Sequence, residues 1–522
     1  MAEGHQGGVQ DHRGRQGHRP HAGGGLRRAR HQGAQQGREG KGSDEGPQEG
    51  AHPPPLRVLG DPLHSSVDHN GGGARHGHGD LRRGRQGGGC VRILVLGLGT
   101  AGLYAAKWAR NADPRAEIVV VERRTYPTFS PCGIPLAIEG LVSFESLKHP
   151  FPVRGNTRLL LGHEVVSVDL DSMRARVTDG SSELELSFDR LVFAPGAEPF
   201  VPPVPGAGEA LGKDLFTIRV VEDGERLVRR IEEKGATRAT VVGAGPIGCE
   251  ISYALARRGL KVHLVEMLDR VFPRSLDPDM ASHVEAYLRA RGIEVRTGCP
   301  LEEVVLDDGS VVAVRACGER IPTDIVVMAT GVRACTGLLE GQVDVDKGIL
   351  VDERMETSRE GVFAAGDVAV VRHRISGEMV MVQLASAAMR QGVVAGINAA
   401  GGDATYSGAL GTFSSAMGAF EAAATGIRTG KSVKIAGFYK PEWAGGERVW
   451  LKLFLEGDRI VGAQAVGPRA SAEIDVVAAL IHRGATVDDA LMFERSYCPG
   501  VSELNMPLSA AGEIALRRKL RR

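Results

Sequence analysis

Val91-Arg92-Ile93-Leu94-Val95-Leu96-Gly97-Leu98-Gly99-Thr100-Ala101-Gly102 is a nearly continuous apolar run that breaks into a GxGxxG turn. An apolar run of that length reads as a strand buried in a parallel sheet. A helical pattern follows through Arg110. Glu117-Ile118-Val119-Val120-Val121-Glu122 then reads as a second strand, ending in an acid. Alone, GxGxxG is a weak signal. Strand, glycine turn, helix, strand and terminal acid in that order form a dinucleotide-binding βαβ unit. Gly97, Gly99 and Gly102 let backbone amides approach a pyrophosphate at a helix N-terminus. Glu122, with Arg123 beside it, is placed to meet a ribose.

Outward from this unit the pattern returns. Ala239-Thr240-Val241-Val242 runs into Gly243-Ala244-Gly245-Pro246-Ile247-Gly248. A helix and the strand Val262-His263-Leu264-Val265-Glu266 follow. Glu266 favours an unphosphorylated ribose 2′-hydroxyl, hence NADH. Arg270, four residues on, leaves NADPH possible. Two such folds in one chain imply two dinucleotides and electrons passing between them. Three more stretches read as strands entering glycine turns. They are residues 191–197 with Ala194 and Gly196, residues 325–331 ending in Gly331, and residues 362–367 ending in Gly366-Asp367. The proline-rich segment 199–206 reads as a linker.

Composition narrows the function. The formal charge is zero, with 64 basic and 64 acidic residues, so bulk charge does not point to nucleic acid. No apolar run approaches the ~20 residues of a membrane span. Seven cysteines are scattered without a CxxC pair. That spacing suggests neither a disulfide framework nor a metal site, and it suits a reducing, cytoplasmic setting. Residues 1–90 contain 24 of the 71 glycines, 10 of the 16 histidines and no aromatic residue. Such a segment cannot bury enough apolar surface to order itself. It is expected to be a disordered extension, translated from upstream of the native start. The fold class is therefore α/β: two Rossmann-like domains and a C-terminal α+β domain behind a disordered extension. The boundaries expected are 91–211, 212–323, 324–403 and 404–522.

Cys132, in Phe129-Ser130-Pro131-Cys132-Gly133-Ile134-Pro135, has no second cysteine within a helical turn or two. Gly133 removes bulk beside the sulfur, so a flat cofactor or a substrate sulfur can come close. Pro131 and Pro135 restrict the backbone around it. A buried structural cysteine is the plainer reading of this residue alone.

Two GxGxxG folds, Ala329-Thr330-Gly331 and Gly366-Asp367, in that order, resemble the pyridine nucleotide–disulfide oxidoreductases over residues 91–510. The resemblance implies FAD on the first fold, with Asp367 on its ribityl chain, and NADH or NADPH on the second. It also implies that residues 324–403 return to complete the FAD domain and that the C-terminal domain makes a homodimer. A single cysteine with Ala137 where a CxxxxC pair needs its partner resembles the coenzyme A-disulfide reductase and NADH oxidase branch. Reducing equivalents would then reach a small disulfide, persulfide or polysulfide held at Cys132. A thiolate favoured by nearby positive charge is the form needed. The oxidase and peroxidase members usually place a histidine in the first glycine turn, where this chain has Thr100 or Ala101. Near the C-terminus, Tyr497 matches a tyrosine that reaches the partner's active site in coenzyme A-disulfide reductases. Cys498-Pro499 and Glu503 keep the spacing of a His-Pro…Glu acid–base motif, with cysteine in place of histidine. Cys498 would then face Cys132 across the dimer. Two alternatives remain open: an NADH oxidase or peroxidase, and an electron-transfer subunit docking an acidic partner through the basic tail 517–522.

Overall fold

The computed structural model describes residues 90–521; the expectation for residues 1–90 falls, Cys90 apart, outside them. The opening run forms the strand Arg92–Leu96 at the centre of a five-stranded parallel sheet. Its neighbours are Glu117–Glu122 and Arg190–Phe193, flanked by Thr157–Leu161 and Val362–Ala364. The last strand arrives from 169 residues beyond its neighbour, because the second sheet is inserted between them. Leu94, Val95, Ile118, Val120, Val192 and Phe193 are all buried. Strands covered on both faces need such unbroken apolar runs.

The second sheet repeats the plan with Leu215–Thr217, Ile325–Met328, Arg238–Val242, Lys261–Val265 and Glu294–Arg296, all parallel. Each parallel sheet carries a small antiparallel companion that periodicity did not reveal. These are Glu164–Asp169, Arg174–Thr178 and Glu183–Ser187 with the first, and Leu301–Asp307, Ser310–Ala316 and Glu319–Pro322 with the second. The proline-rich segment is more than a linker at its start, since Ala197–Pro199 pairs with Val332–Ala334.

Residues 413–467 form a five-stranded antiparallel sheet. The helices Ala470–His482 and Pro507–Leu520 close its core around Leu451, Leu453, Ile474, Val477 and Leu508. The start of the basic tail forms the last turn of Pro507–Leu520, where Lys519 pairs with Asp458 at 3.0 Å and Asp488 at 3.1 Å. A second correction concerns the cysteines. Cys299 and Cys317 are joined in a disulfide, their Cα atoms 5.0 Å apart. Eighteen residues separate them in sequence, and only the hairpins between bring them together. Among the described residues no helix is long and apolar enough to cross a membrane.

Candidate active site

The two glycine turns are built alike. Gly97 has φ +88° and Gly243 φ +99°, and a Cβ on either would lie 2.3 or 2.4 Å from the carbonyl oxygen of Ala194 or Ala329. Gly102 and Gly248 press on their own turns, where a Cβ would meet the Gly97 or Gly243 oxygen at under 2 Å. The middle glycines differ in kind. Gly99 and Gly245 cap the helices Thr100–Ala112 and Pro246–Arg257, and beyond each there is open space for at least 4 Å. Close packing on two sides and an open face at a helix N-terminus are what a pyrophosphate requires, so both turns fit a dinucleotide. Ile247 is exposed on the rim of the second turn.

The two strand-end acids are more committed than their sequence suggested. Glu122 Oε2 accepts from the Leu98 N–H at 2.7 Å, and Glu266 Oε2 from the Ala244 N–H at 2.7 Å. Each carboxylate ties its strand to its own glycine turn. Glu122 is further gripped by the backbone and side chain of Arg124, with N···O distances of 2.8–3.0 Å. Burial would raise its pKa, but the Arg124 guanidinium and the two backbone N–H groups outweigh that and hold it below the usual range. Four donors meet the Glu122 carboxylate, two on each oxygen. Glu266 holds two N–H groups, those of Ala244 and Leu268, and keeps spare acceptor sites. Arg123, assigned to the cofactor with Glu122, instead points outward and pairs with Glu198 at 3.4 Å.

Around Cys132 four distant segments converge. The thiol sits on the short 3-10 turn Pro131–Gly133, which leads into the helix Ile134–Glu139. Its sulfur is free and reaches solvent, yet recess walls desolvate it. Burial raises its pKa, the Glu250 and Asp367 carboxylates add to that, and the Arg219 guanidinium opposes them. The depressed thiol expected from the sequence is therefore not what the chain's own residues produce. A Cβ on Gly133 would lie 2.5 Å from Leu147 Cδ2, so its smallness also lets the thiol's turn sit against Leu147.

Asp367 follows Gly366, whose N–H donates to Gln391 Oε1 at 2.8 Å, and pairs with Arg219 at 2.9 Å. Arg219 lies under Gly196, where a Cβ would approach its guanidinium to 3.1 Å. Gly331, at φ +99°, faces open space. Arg219 and Glu250 were not found from the sequence. Arg219 is a lone arginine just beyond a three-residue strand, and no pattern marks it. Glu250 had a signal: it is an acid two residues past Gly248 in the apolar helix Pro246–Arg257. Burial raises its carboxyl pKa against hydrogen bonds from Ser415 Oγ at 2.7 Å and the Ala416 N–H.

Tyr497, Cys498 and Glu503 are not gathered at Cys132 by contacts of the single chain. They lie on the surface of the C-terminal region, where Tyr497 is 53% exposed and Cys498 is a free exposed thiol. The 498–503 loop is nonetheless ordered by bonds. The Cys498 carbonyl accepts from the Val501 and Ser502 N–H groups, and the Glu503 N–H donates to the Tyr439 carbonyl at 2.8 Å.

Comparison with known proteins agrees with this geometry. Residues 91–392 match the pyridine nucleotide-disulphide oxidoreductase family profile, and the chain belongs to that family. An NADH oxidase of Methanocaldococcus jannaschii is 36% identical over 82% of this chain and 99% of its own length. An NAD(P)H coenzyme A polysulfide/persulfide reductase of Pyrococcus horikoshii is 31% identical over 81% and 98%. The structure of an NAD-dependent persulfide reductase from A. fulgidus matches with a TM-score of 0.78 at 30% identity, covering 82% and 84%. The protein is an enzyme of this family, with FAD and NAD(P)H as its cofactors.

Proposed function

We propose that this enzyme uses NADH to reduce a small disulfide, persulfide or polysulfide through Cys132, in the manner of the coenzyme A-dependent sulfur reductases. One observation supports it above the rest: a free thiol, without a neighbouring cysteine, within electrostatic reach of the paired Asp367 and Arg219. FAD, when bound, supplies a two-electron link between the nicotinamide and sulfur. The chain's own part is to position and protonate. Gly97–Gly102 and Gly243–Gly248 receive the two pyrophosphates, Glu266 keeps acceptor sites for a ribose, and Asp367 is the acceptor for the ribityl hydroxyls. Cys132 holds the substrate sulfur as a mixed disulfide or persulfide and is returned as the thiol. The Glu250 carboxylate and the Arg219 guanidinium act on that thiol in opposite directions.

The working form in this reading is a cytoplasmic homodimer. Met492, Phe493, Tyr497, Val501 and Leu504 are exposed together over residues 492–504, a patch that a second subunit would cover. The partner would then bring Tyr497, Cys498 and Glu503 to Cys132. Cys132→Ser tests the core of the proposal. It should retain FAD at full occupancy and lose reduction of coenzyme A disulfide and polysulfide by at least about 1,000-fold, as removal of a nucleophile does. Undiminished turnover would refute the assignment.

A second reading rests on the Methanocaldococcus relative, which is called an NADH oxidase. In that case Cys132 would cycle through a sulfenic acid. Trapping that species after peroxide or oxygen, with NADH oxidation faster on oxygen than on polysulfide, would favour it. For the electron-transfer alternative, Lys519 of the basic tail is paired with Asp458 and Asp488.

A further inference from the structure

We propose that Cys299 and Cys317 form a redox-responsive pair that sets the affinity for the pyridine nucleotide, with the disulfide as the tighter-binding state. Cys317 occupies an improbable place. With Gly318 it makes the two-residue loop between Ser310–Ala316 and Glu319–Pro322, at φ +53° and +71°. Both central residues of such a hairpin loop lie in the left-handed region, where Asn-Gly or Asp-Gly is favoured. The preceding hairpin of the same sheet obeys that preference, with Asp308-Gly309 at φ +47° and +73°. A cysteine at the first position forgoes the preferred residue, and its sulfur is the one held by Cys299. The Cα separation of 5.0 Å lies within the range a disulfide spans.

Cys299 connects this hairpin to the nucleotide site. Its N–H donates to the Glu266 carbonyl at 2.8 Å, and the neighbouring Gly298 N–H to the Leu268 carbonyl at 2.6 Å. The Glu266 N–H donates in turn to the Arg296 carbonyl at 2.8 Å. Segment 296–299 thus brackets the backbone of the acid assigned to the ribose. Bonded to Cys317, Cys299 is anchored to the antiparallel sheet, and Glu266 is held with it. Reduced, that tether is gone, and the segment has only its hydrogen bonds.

Access is asymmetric. Cys317 is exposed and Cys299 fully buried. The Cys317 thiolate attacks a small disulfide RSSR, forming a mixed disulfide and releasing RS⁻. The Cys299 thiolate then attacks Cys317 Sγ, closing the pair and releasing the second RS⁻. The two protons of the cysteines end on two RSH, and two electrons pass from the pair to the disulfide. A dithiol reverses the step. A disulfide-rich environment would therefore tighten nucleotide binding.

The inference rests on Glu266 being the nucleotide's acid, not on which sulfur compound is the substrate. The test uses the full-length FAD-loaded Cys132→Ser protein, so that the active-site thiol does not respond. After equilibration in oxidised or reduced dithiothreitol, alkylation under denaturing conditions should count two more thiols in the reduced sample. NAD+ titration calorimetry should show binding weaker by about fivefold in that sample, the lower end of typical coupling. Adding Cys317→Ser should fix the affinity at the reduced value in both buffers. Equal affinity in the two states, or an unchanged thiol count, would overturn the proposal. Glu266→Gln is titrated alongside: unaltered NAD+ affinity there would fault the ribose assignment itself.

Discussion

At the scale of single residues, the proposed role of Cys132 makes the charge around it the control on pH dependence. Burial and the carboxylates of Glu250 and Asp367 raise the thiol's pKa, and Arg219 counters them. Only the thiolate attacks sulfur, so the sulfur half-reaction should quicken as pH rises through the thiol's titration. Glu250→Gln removes a negative neighbour and should move that rising limb to lower pH. Arg219→Met removes the cation and should move it to higher pH, with turnover at neutral pH falling severalfold. Stopped-flow pH profiles of the sulfur half-reaction would check both. Limbs that coincide with the unmodified enzyme's would show that these groups do not reach the thiol. Most residues of this site were legible from motif and spacing, because glycine turns and strand-end acids recur with fixed geometry. Arg219 was not, since its meaning comes only from Asp367, 148 residues away.

At the scale of elements, the first nucleotide turn depends on how closely two helices meet. Thr100–Ala112 packs on Ala385–Ala399, and a Cβ on Gly392 would come within 2.2 Å of the Ala101 oxygen. Gly396 stands in the same relation to the Ala105 oxygen. These neighbours are backbone and cannot rotate away. Gly392→Ala should therefore destabilise the protein by about 1–3 kcal/mol, the usual cost of overpacking. By displacing the helix whose N-terminus is Gly99, it should also lower the FAD-to-protein ratio of the purified enzyme. Melting temperature and flavin absorbance read the two effects separately, and unchanged values of both would contradict the packing account. Helical periodicity predicted the first of these helices but not its contact, since a glycine in a helix looks the same whether it faces water or another backbone.

At the scale of the whole molecule, the apolar surface over residues 492–504 is the face on which the proposed homodimer rests. Random pairing of Cys132→Ser with Cys498→Ser chains gives heterodimers in half of the population. If both cysteines are needed and the site is shared, one site of each heterodimer is intact. Two inactive variants refolded together should then recover about a quarter of full activity. No recovery would mean that Cys498 serves the Cys132 of its own chain. Replacing Leu504 with Glu should weaken association, visible by sedimentation as a shift toward monomer at micromolar concentration.

Composition and local pattern by themselves determined that residues 91 onward hold two nucleotide folds, that a lone cysteine stands in the stretch after the first glycine turn, and that an α+β region follows. Those features are encoded within a dozen residues, by periodicity, glycine conformation and strand-end charge. Tertiary structure alone decided that Arg124 and Leu98 bond Glu122, that Gly133 sits against Leu147, that Glu250 and Arg219 come within electrostatic reach of Cys132, and that Cys299 meets Cys317. The reason is the same each time. A side chain's role depends on desolvation and on partners within a few ångströms, and chain folding chooses those partners from far along the sequence.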